Sequence, residues 1–360
     1  MTARTQGTVR IVGTGLLGAS IGHALTALGV DVVLADASRS AVSLAVDYGA
    51  GRAAGPGDAP SLVVVAVPPD VTAQVTAAEL DAYPEAIVTD VASVKSGILL
   101  ELQSIGADLT RYVGSHPMAG RERTGAVASR ADLFIGRPWV IAAPEEAGTA
   151  WRVVEALALD LGAAPVRMDA LAHDEAVAVV SHVPQLVASI LAKRLLGATD
   201  QAVSLAGPGV RDTTRIAASD PALWVQILGA NATAVVMLLE EYRADLDVAI
   251  AALSDQAASG ARRAIAELIA SGSTGVARIP GKHGSSKQYA SITVLVDDRP
   301  GELARLLTEI GALGVNMEDL RLEHSPGAQV GIAEIAVLPE VEARLVADLT
   351  AAGWRIGAAE

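Results

Sequence analysis

The segment Gly13-Thr14-Gly15-Leu16-Leu17-Gly18 constrains the fold of this chain more than any other part of it. An apolar run at 9–12 precedes it, and an Ala- and Leu-rich stretch at 19–28 with helical spacing follows. In a strand–turn–helix unit, Gly13 allows the tight turn, Gly15 lets the backbone approach a pyrophosphate, and Gly18 permits close helix–strand contact. The phosphates then meet free N–H groups at the helix N-terminus. We therefore predict a dinucleotide-binding domain, as opposed to a glycine turn in a domain without a cofactor.

The residue that ends the second apolar run indicates which dinucleotide binds. Asp36 lies about twenty residues after the glycine motif, can accept bonds from both ribose hydroxyls, and repels a 2′-phosphate. NAD is therefore favoured over NADP, although Arg39, close behind, leaves NADP open. A further apolar run ends at Val67 and Pro68, at the same edge of the sheet. The predicted cofactor-binding residues are Gly13, Gly15, Leu16, Leu17, Gly18, Asp36, Val67 and Pro68.

The pattern of apolar runs divides the chain into three domains. Runs at 31–35, 62–67, 86–89, 112–114 and 139–142 alternate with helical stretches. Their continuous hydrophobicity is typical of parallel strands buried on both faces, so we predict an α/β, Rossmann-type doubly wound sheet over 1–167. Beyond 168 the strand signal disappears, and 170–197, 221–253 and 255–271 indicate long helices. This all-helical region, 168–272, has apolar faces that one layer of helices can hardly bury, so we expect a substrate and dimerisation domain of a homodimer.

The last part of the chain has a different pattern. Residues 273–289 are rich in Gly, Ser, Lys and Arg and indicate a linker. Within 290–360, strands at 291–296, 315–323 and 329–338, helices at 301–313 and 339–352, and a short final strand give the order β-α-β-β-α-β. That order is ferredoxin-like.

Charge and composition exclude several classes of partner. The formal net charge is −14, which argues against nucleic acid and membrane as partners. The chain has no cysteine, and its six histidines lack metal-ligand spacing, so we expect neither a thiol nucleophile nor a metal site. The longest apolar stretch, 176–191, is interrupted by polar residues, which favours a buried helix over a membrane span. The N-terminus shows no signal-peptide pattern, so we expect a cytoplasmic protein.

Two polar motifs follow strands of the predicted sheet. In Gly114-Ser115-His116-Pro117-Met118-Ala119-Gly120, His116 lies just beyond the strand at 112–114. At the carboxyl end of a strand, an imidazole can move a proton while a redox cofactor takes a hydride; the alternative is an ordinary loop histidine. In Asp90-Val91-Ala92-Ser93-Val94-Lys95, Ser93 can bond a substrate hydroxyl or His116, or cap the next helix.

The helical region carries two further polar motifs. Ser181-His182-Val183-Pro184 interrupts an apolar helix, where His182 needs a partner, which can be a substrate or simply a backbone carbonyl. In Arg211-Asp212-Thr213-Thr214-Arg215, the guanidinium of Arg215 suits a substrate carboxylate, or else a surface ion pair with Asp212 or Asp220. Glu122, shortly after His116, can shape the pocket entrance or be solvated.

Together, these motifs resemble those of the prephenate/arogenate dehydrogenases, the oxidoreductases of tyrosine synthesis. The resemblance covers nearly the whole chain. It rests on Gly13-x-Gly15-x-x-Gly18, Asp90-x-x-Ser93-x-Lys95, Gly114-Ser115-His116-Pro117-Met118-Ala119-Gly120, Ser181-His182-Val183-Pro184, and Arg211-Asp212-x-Thr214-Arg215-Ile216-Ala217 with Ser219-Asp220-Pro221.

The resemblance implies a reaction and the residues that perform it. His116 is then the catalytic acid/base and Ser93 assists it, while His182 and Arg215 hold the substrate; we add Lys95 and Glu122 to the substrate site. The implied reaction is the NAD-dependent oxidative decarboxylation of prephenate to 4-hydroxyphenylpyruvate, with arogenate as the alternative substrate.

Two other classes stay open at this point. A non-catalytic NAD sensor gives no reason for the four polar residues at the predicted site. A β-hydroxyacid dehydrogenase normally uses a helical lysine as acid/base, and Lys193 has no accompanying motif.

The C-terminal segment resembles an ACT domain through Asp298-Arg299-Pro300-Gly301-Glu302-Leu303 and Gly314-Val315-Asn316-Met317. The resemblance implies a small amino acid at the turn around Gly301, with Asp298 and Asn316 contacting its amine and carboxylate. Our hypothesis is that tyrosine is this effector; an ACT domain used only for assembly is the alternative.

Overall fold

The computed structural model of the chain describes residues 3–120, 125–279, 289–324 and 330–357, without the side chains of 323 and 324. The chain forms two compact units, Met1–Ala198 with Thr214–Tyr242 and Thr199–Thr213 with Arg243–Glu360. The domain boundaries predicted from the sequence are therefore not the boundaries of these units.

The first unit is built on an eight-stranded sheet with strand order β3-β2-β1-β4-β5-β6-β7-β8. Its first six positions have the order of dinucleotide-binding doubly wound sheets, so the predicted Rossmann-type fold is confirmed. The elements are β1 Thr8–Val12, α1 Leu16–Ala27, β2 Val32–Ala35, α2 Arg39–Asp47, β3 Arg52–Ala53, β4 Pro60–Val65, α3 Pro69–Ala82, β5 Ile87–Asp90, α4 Ser96–Ser104, β6 Tyr112–Pro117, β7 Pro138–Ala142, α5 Trp151–Asp160 and β8 Ala164–Arg167.

The central strands form because β-branched side chains pack on both faces of the sheet. In β4, Leu62, Val63, Val64 and Val65 are all buried. One cluster of apolar side chains packs around Trp139 and Phe134 on one face, and a second packs around Leu80 and Leu102 on the other. Helices cover both faces, which explains the continuous apolar runs of the sequence.

The sheet departs from the prediction at β6. This strand pairs in parallel with β5 only as far as Gly114, which lies opposite the last residue of β5, Asp90. It then continues to Pro117 and pairs antiparallel with β7, with His116 opposite Val140. The sheet is therefore mixed, and the histidine lies within a strand that overhangs the carboxyl edge of its neighbour rather than in a loop. The short strand β3 and the mostly exposed strand β8 were not predicted, because their apolar runs are too brief.

Seven α-helices lie between residues 168 and 279, all of which the structure describes. They are α6 Ala170–Val177, α7 Val183–Arg194, α8 Asp200–Ser204, α9 Pro208–Thr214, α10 Pro221–Ala230, α11 Ala232–Ser254 and α12 Ala261–Val276. The first two are joined by a π-helical turn, Ala178–His182, so 170–197 is one continuous helical stretch as predicted.

The single helix predicted at 221–253 is wrong. The chain bends by 94° between α10 and α11, at Asn231. The Asn231 side chain is buried and bonds the Asp174 carbonyl oxygen and the His182 ring. The Asn231 side chain, which has hydrogen-bond partners inside the protein, thus lies at the bend between the two helices. Apolar periodicity alone does not predict such a bend.

The helical stretch Ala170–Gly197 is long and apolar enough to cross a membrane by length and composition, and α10 with α11 would qualify only as one bent span. In the most apolar 18 residues of Ala170–Gly197, 33% is buried within the chain. It is not uniformly apolar, because it directs His173, Asp174 and His182 into the protein interior.

The second unit contains a four-stranded antiparallel sheet of order β10-β11-β9-β12. Its elements are β9 Ala290–Asp297, α13 Glu302–Ala312, β10 Asp319–His324, β11 Val330–Val337, α14 Pro339–Ala351 and β12 Arg355–Ile356. Alternate residues of β9 and β11 are buried, and they pack with Leu306, Ile310 and Leu345 from the two helices. One face of this sheet is thereby covered by helices.

Candidate active site

The glycine loop between β1 and α1 has room for a dinucleotide pyrophosphate. Gly13 adopts φ +99°, and a Cβ there would collide with the Ala66 carbonyl oxygen. A Cβ at Gly18 would collide with the Gly13 carbonyl oxygen, so these two glycines are required by packing. Gly15 differs, because a Cβ there would meet no atom within 4 Å.

The N-terminus of α1 completes this cradle. No side chain of the described residues caps the helix, so the first-turn N–H groups of Leu16, Leu17 and Gly18 are available to an anion. Val67 packs against Gly13, since its Cγ1 lies 3.2 Å from the Cβ position of that glycine. Pro68 precedes α3 at the same carboxyl edge of the sheet. The predicted pyrophosphate residues therefore fit such a group together.

Asp36 lies directly after β2 and is held beside the glycine loop. Its Oδ2 accepts bonds from the Thr14 main-chain N–H (2.8 Å) and hydroxyl (3.0 Å). Its Oδ1 accepts a bond from the Ser38 main-chain N–H at 2.9 Å. A carboxylate has about four lone-pair sites, so acceptor capacity remains for ribose hydroxyls. Thr14 therefore connects the acid that would contact the ribose to the loop that would contact the phosphates.

His116 is the polar centre of the site. It is 8% exposed, on the part of β6 that extends beyond Asp90. Its Nδ1 lies 2.9 Å from Nε2 of His173, a fully buried residue of α6. Nδ1 of His173 lies 2.7 Å from Oδ1 of the next residue, Asp174. A carboxylate and two imidazoles thus form one continuous hydrogen-bonded chain.

The order of donors and acceptors fixes the tautomers of this chain. The Asp174 carboxylate can only accept, so Nδ1 of His173 carries a proton and, in the neutral ring, Nε2 of His173 accepts. His116 must then donate from Nδ1, which leaves the lone pair on Nε2 of His116. No described residue hydrogen-bonds that nitrogen, which is therefore the available proton acceptor of the site.

The surroundings keep His116 neutral. Burial, first of all, and then His173, Lys95 and His182 lower the pKa of His116 well below 6.5. Burial works against ionisation of Asp174, but bonds from His173 and from the main-chain N–H groups of Ser96 and Lys95 hold its pKa below the ordinary value. An ionised carboxylate and an uncharged imidazole therefore lie at opposite ends of the chain at neutral pH.

His182, in the π-helical turn, has the opposite tautomer. The Asn231 amide nitrogen donates to the Asp174 carbonyl oxygen at 2.8 Å and lies 3.0 Å from Nδ1 of His182. An amide nitrogen cannot accept, so Nδ1 of His182 accepts and its Nε2 carries the proton. Burial lowers the pKa of His182 to about 4. It is therefore a neutral hydrogen-bond donor, not a cation, and its ring meets Trp224 edge to face at 6.2 Å.

Lys95 does not lie where the sequence predicts. Its side chain is 1% exposed and forms a buried ion pair with Asp90. The same carboxylate accepts bonds from the Tyr112 hydroxyl (2.8 Å) and the Ala92 main-chain N–H (2.9 Å). Because the ammonium group already has its partner inside the sheet, we replace the predicted substrate contact of Lys95 by a role in holding the strand ends together.

The other predicted site residues are less constrained. Ser93 is half-buried, and no described residue hydrogen-bonds its hydroxyl. Of the two predicted partners, His116 is therefore not bonded to it in the described structure, and a substrate hydroxyl stays a prediction. Arg215 is exposed in the turn Arg215–Ala217, which packs against α7, and within the described residues it forms no ion pair with Asp212 or Asp220. Its role as a carboxylate ligand stays a prediction. Glu122 lies outside the described residues.

The residues predicted to bind an effector lie in the second unit. Asp298 is exposed in the turn between β9 and α13, and Gly301 there adopts φ +95°. Asn316, before β10, donates to Oε1 of Glu318 at 2.9 Å. No bond in the described residues joins Asp298 to Asn316, so a shared ligand site stays a prediction.

Sequence reasoning missed His173, Asp174 and Asn231. The first two form a polar pair at the start of an otherwise apolar helix, and that signal was present in the sequence. Asn231 had no comparable signal, because it lies within a stretch that has helical periodicity throughout.

Comparisons with known proteins agree with this geometry. Residues 21–166 match the family model of the prephenate dehydrogenase nucleotide-binding domain, and residues 169–267 match that of the prephenate dehydrogenase dimerization domain. A probable prephenate dehydrogenase of Streptomyces niveus, NovF, is 37% identical over 96% of this chain and 98% of its own length. The chain belongs to the prephenate dehydrogenase family. This membership excludes the sensor and β-hydroxyacid dehydrogenase alternatives, and the candidate lysine of the latter, Lys193, is exposed on α7.

Other relatives of this prephenate dehydrogenase family member differ in the substrate that their names give. The cyclohexadienyl dehydrogenase of Zymomonas mobilis is 31% identical over 69% of this chain and 89% of its own length. A solved Aquifex aeolicus prephenate dehydrogenase, in complex with hydroxyphenyl propionate and NAD+, has a TM-score of 0.65 at 26% identity, over 75% of this chain and 98% of the other. The Synechocystis arogenate dehydrogenase has a TM-score of 0.62 at 26% identity, over 74% and 99%.

Proposed function

We propose that this chain is an NAD-dependent prephenate dehydrogenase that converts prephenate to 4-hydroxyphenylpyruvate and CO2. The observation that carries the proposal is the neutral His116, whose Nε2 lone pair is left free by the bond from its Nδ1 to His173. It lies at the carboxyl edge of a sheet whose glycine loop fits a dinucleotide. That combination suits removal of a proton from an alcohol during its oxidation.

NAD, when bound, accepts the hydride from the carbon that carries the substrate hydroxyl. The glycine loop and the N–H groups of Leu16, Leu17 and Gly18 would hold its pyrophosphate, and Asp36 would hold the adenosine ribose. The negative charge of Asp36 disfavours a 2′-phosphate, which supports NAD over NADP.

The side chains of the site divide the work on the substrate. His116 takes the hydroxyl proton at Nε2 as the carbonyl forms. His182 can donate a hydrogen bond from Nε2 to a substrate oxygen, and Arg215 can bind a carboxylate through two parallel hydrogen bonds. Ser93 and Glu122 complete the proposed site as predicted from the sequence. Loss of the ring carboxylate as CO2 then makes the ring aromatic, and orientation of the substrate is the main contribution that this step requires.

A substrate comparison tests the proposed function. Purified protein is given NAD with prephenate or with arogenate, and NADH absorbance is followed. We expect kcat/KM to be higher for prephenate, in agreement with the name of the Streptomyces niveus relative, which matches almost the whole chain. A higher kcat/KM for arogenate would transfer the assignment to that substrate, and no NADH from either compound would refute the proposed activity.

We further propose that residues 290–360 form a ferredoxin-like ACT domain that binds tyrosine. The element order β-α-β-β-α-β and the glycine at φ +95° in the first strand–helix turn support it. Asp298, Gly301 and Asn316 would contact the amino acid. In the same assay, added L-tyrosine should lower the rate; an unchanged rate and melting temperature would favour a role in assembly alone.

We also propose a homodimer whose interface lies on the helices of 168–272, with a nucleotide-binding domain at 1–167 and a linker at 273–289. The two family models support this division, since they meet between residues 166 and 169. Exposed apolar side chains within 168–272 support the interface. Such side chains include Leu171, Val180, Leu196, Leu205, Val225, Met237 and Ile269. A cytoplasmic location is part of the same proposal.

A further inference from the structure

We propose that His173 and Asp174 store the substrate proton for His116 and return it later in the same turnover. When Nε2 of His116 takes the hydroxyl proton, the Nδ1 proton of His116 moves to Nε2 of His173. The positive charge then lies on His173, next to Asp174. This inference rests on the proposed function, because it concerns the fate of the proton that the oxidation releases.

The proton balance of the reaction is consistent with such a store. Oxidation removes a hydride from carbon and a proton from the hydroxyl, and leaves a carbonyl on a ring that is not aromatic. When CO2 departs, the electron pair of the broken carbon–carbon bond enters the ring and the carbonyl oxygen becomes a phenolate. That oxygen then needs one proton to become a phenol. The reaction releases no proton overall, so the proton taken by the base can return to the atom it left.

The geometry provides two short hydrogen bonds for this path. Nδ1 of His116 and Nε2 of His173 are 2.9 Å apart, and Nδ1 of His173 is 2.7 Å from Asp174. His173 is fully buried and Asp174 is 4% exposed. A proton held there is separated from bulk water, which favours its return through His116 over its loss.

Asp174 is the carboxylate in direct contact with the imidazole pair. The groups facing His116 are His173 and Asp174 from α6, Lys95 from the segment before α4, and His182 from the π-helical turn. Lys95 is paired with Asp90, which also receives the Tyr112 hydroxyl, so these charges cancel locally. His182 is neutral. Among the described residues, Lys95 forms no ion pair with Asp174 but interacts with it electrostatically, whereas His173 contacts Asp174 directly.

Asp174 also has a structural role that the experiment must separate from proton storage. Its two oxygens accept bonds from the main-chain N–H groups of Lys95 and Ser96, both at 2.8 Å, and so hold the start of α4. Asn at this position keeps one acceptor oxygen but removes the charge. Gln at position 173 can still accept a hydrogen bond from Nδ1 of His116, but it does not become protonated.

The test compares Asp174→Asn and His173→Gln with wild type and with His116→Asn. Asp169→Asn is the matched control, because Asp169 caps the same helix through the Ala172 N–H and lies outside the chain of bonds. We expect kcat to fall about 10- to 100-fold in the two variants, because each removes a group that stabilises the captured proton by an amount equivalent to about one to two pKa units, and to stay unchanged in the control. Melting temperature and NAD binding report folding.

The pH profile separates storage from positioning. The Asp174 charge favours the protonated form of the imidazole pair. Its loss should therefore move the acidic limb of the kcat/KM profile of Asp174→Asn to lower pH by about one unit. If Asp174→Asn merely misplaces His116, kcat falls but the acidic limb of the kcat/KM profile stays where it is in wild type, and that result would overturn the proposal. A wild-type kcat in both Asp174→Asn and His173→Gln would also overturn it.

A double variant covers the case in which Asp174→Asn fails to fold. If His173 acts through His116, then His116→Asn with His173→Gln should be no slower than His116→Asn alone. A further loss of more than about threefold, roughly 0.6 kcal/mol, would contradict the proposal. Wild-type turnover in His116→Asn itself would instead remove the assignment of His116 as the base, and absence of NADH formation by the wild-type protein would remove the proposed function. The failures are therefore distinguishable.

Discussion

At the scale of single residues, the site works through two histidines with opposite tautomers. His116 has its lone pair on Nε2 because His173 and Asp174 require a donor at its other nitrogen. His182 has a proton on Nε2 because Asn231 presents an amide nitrogen to its other nitrogen. One ring therefore accepts a proton while the other donates a hydrogen bond, although both are neutral.

A second residue-scale feature is the double use of Asp36, which binds the glycine loop through Thr14 and would bind ribose. We predict that Asp36→Ala raises the KM for NAD about 10- to 100-fold, as expected for hydrogen bonds to a charged group worth about 1.5–3 kcal/mol. The preference for NAD over NADP should also fall, because the repulsion of a 2′-phosphate is removed. Steady-state kinetics with both cofactors measure these changes.

Asp31→Ala is the control for this variant. Asp31 precedes the same strand at its opposite end, where it pairs with Arg52. Its loss should leave both KM values near wild type. An unchanged KM for NAD in Asp36→Ala would show that this acid does not contact the cofactor.

At the scale of elements, the parts set by local pattern could be predicted from the sequence. Continuous β-branched runs predicted the central strands, and the spacing of Gly13, Gly15 and Gly18 predicted the turn and helix that follow β1. The continuation of β6 through His116 could not be predicted in this way. It depends on pairing with β7, a contact between distant parts of the chain that the short polar segment does not encode locally.

The helices show the same division. Apolar spacing predicted the stretch 170–197, but not the π-helical turn that carries His182. The same holds for the candidate site. The motifs predicted His116 and His182, but not their hydrogen-bond partners His173 and Asn231. These partners lie 57 and 49 residues away in the sequence and set the tautomers of the two rings. Lys95 was placed wrongly because a motif does not report whether a lysine faces the crevice or the sheet interior.

At the scale of the whole molecule, many large apolar side chains on the helices are exposed in the single chain. Leu196 and Leu205, for example, are 87% and 82% exposed. Exposed apolar surface commonly marks a site of contact with another protein. We predict a homodimer at micromolar concentration, with a mass twice that of the chain by size-exclusion chromatography with light scattering. A monomer under these conditions would contradict the dimer.

Paired charge substitutions would locate the interface. Leu196→Lys on the helical region should shift the protein toward monomer, because burying an unpaired charge at an interface is unfavourable. Leu100→Lys, at a residue 64% exposed on α4 of the nucleotide-binding domain, should leave the mass unchanged.

The most direct test of the account is the turnover of His116→Asn with prephenate and saturating NAD. Asparagine fills a similar space but cannot accept the hydroxyl proton, so we predict that kcat falls about 10²- to 10⁴-fold, the range for a lost general base. NAD affinity and the KM for prephenate should change little, which shows that the protein still folds and binds. Turnover at the wild-type rate in that variant would contradict the assignment of this imidazole as the base.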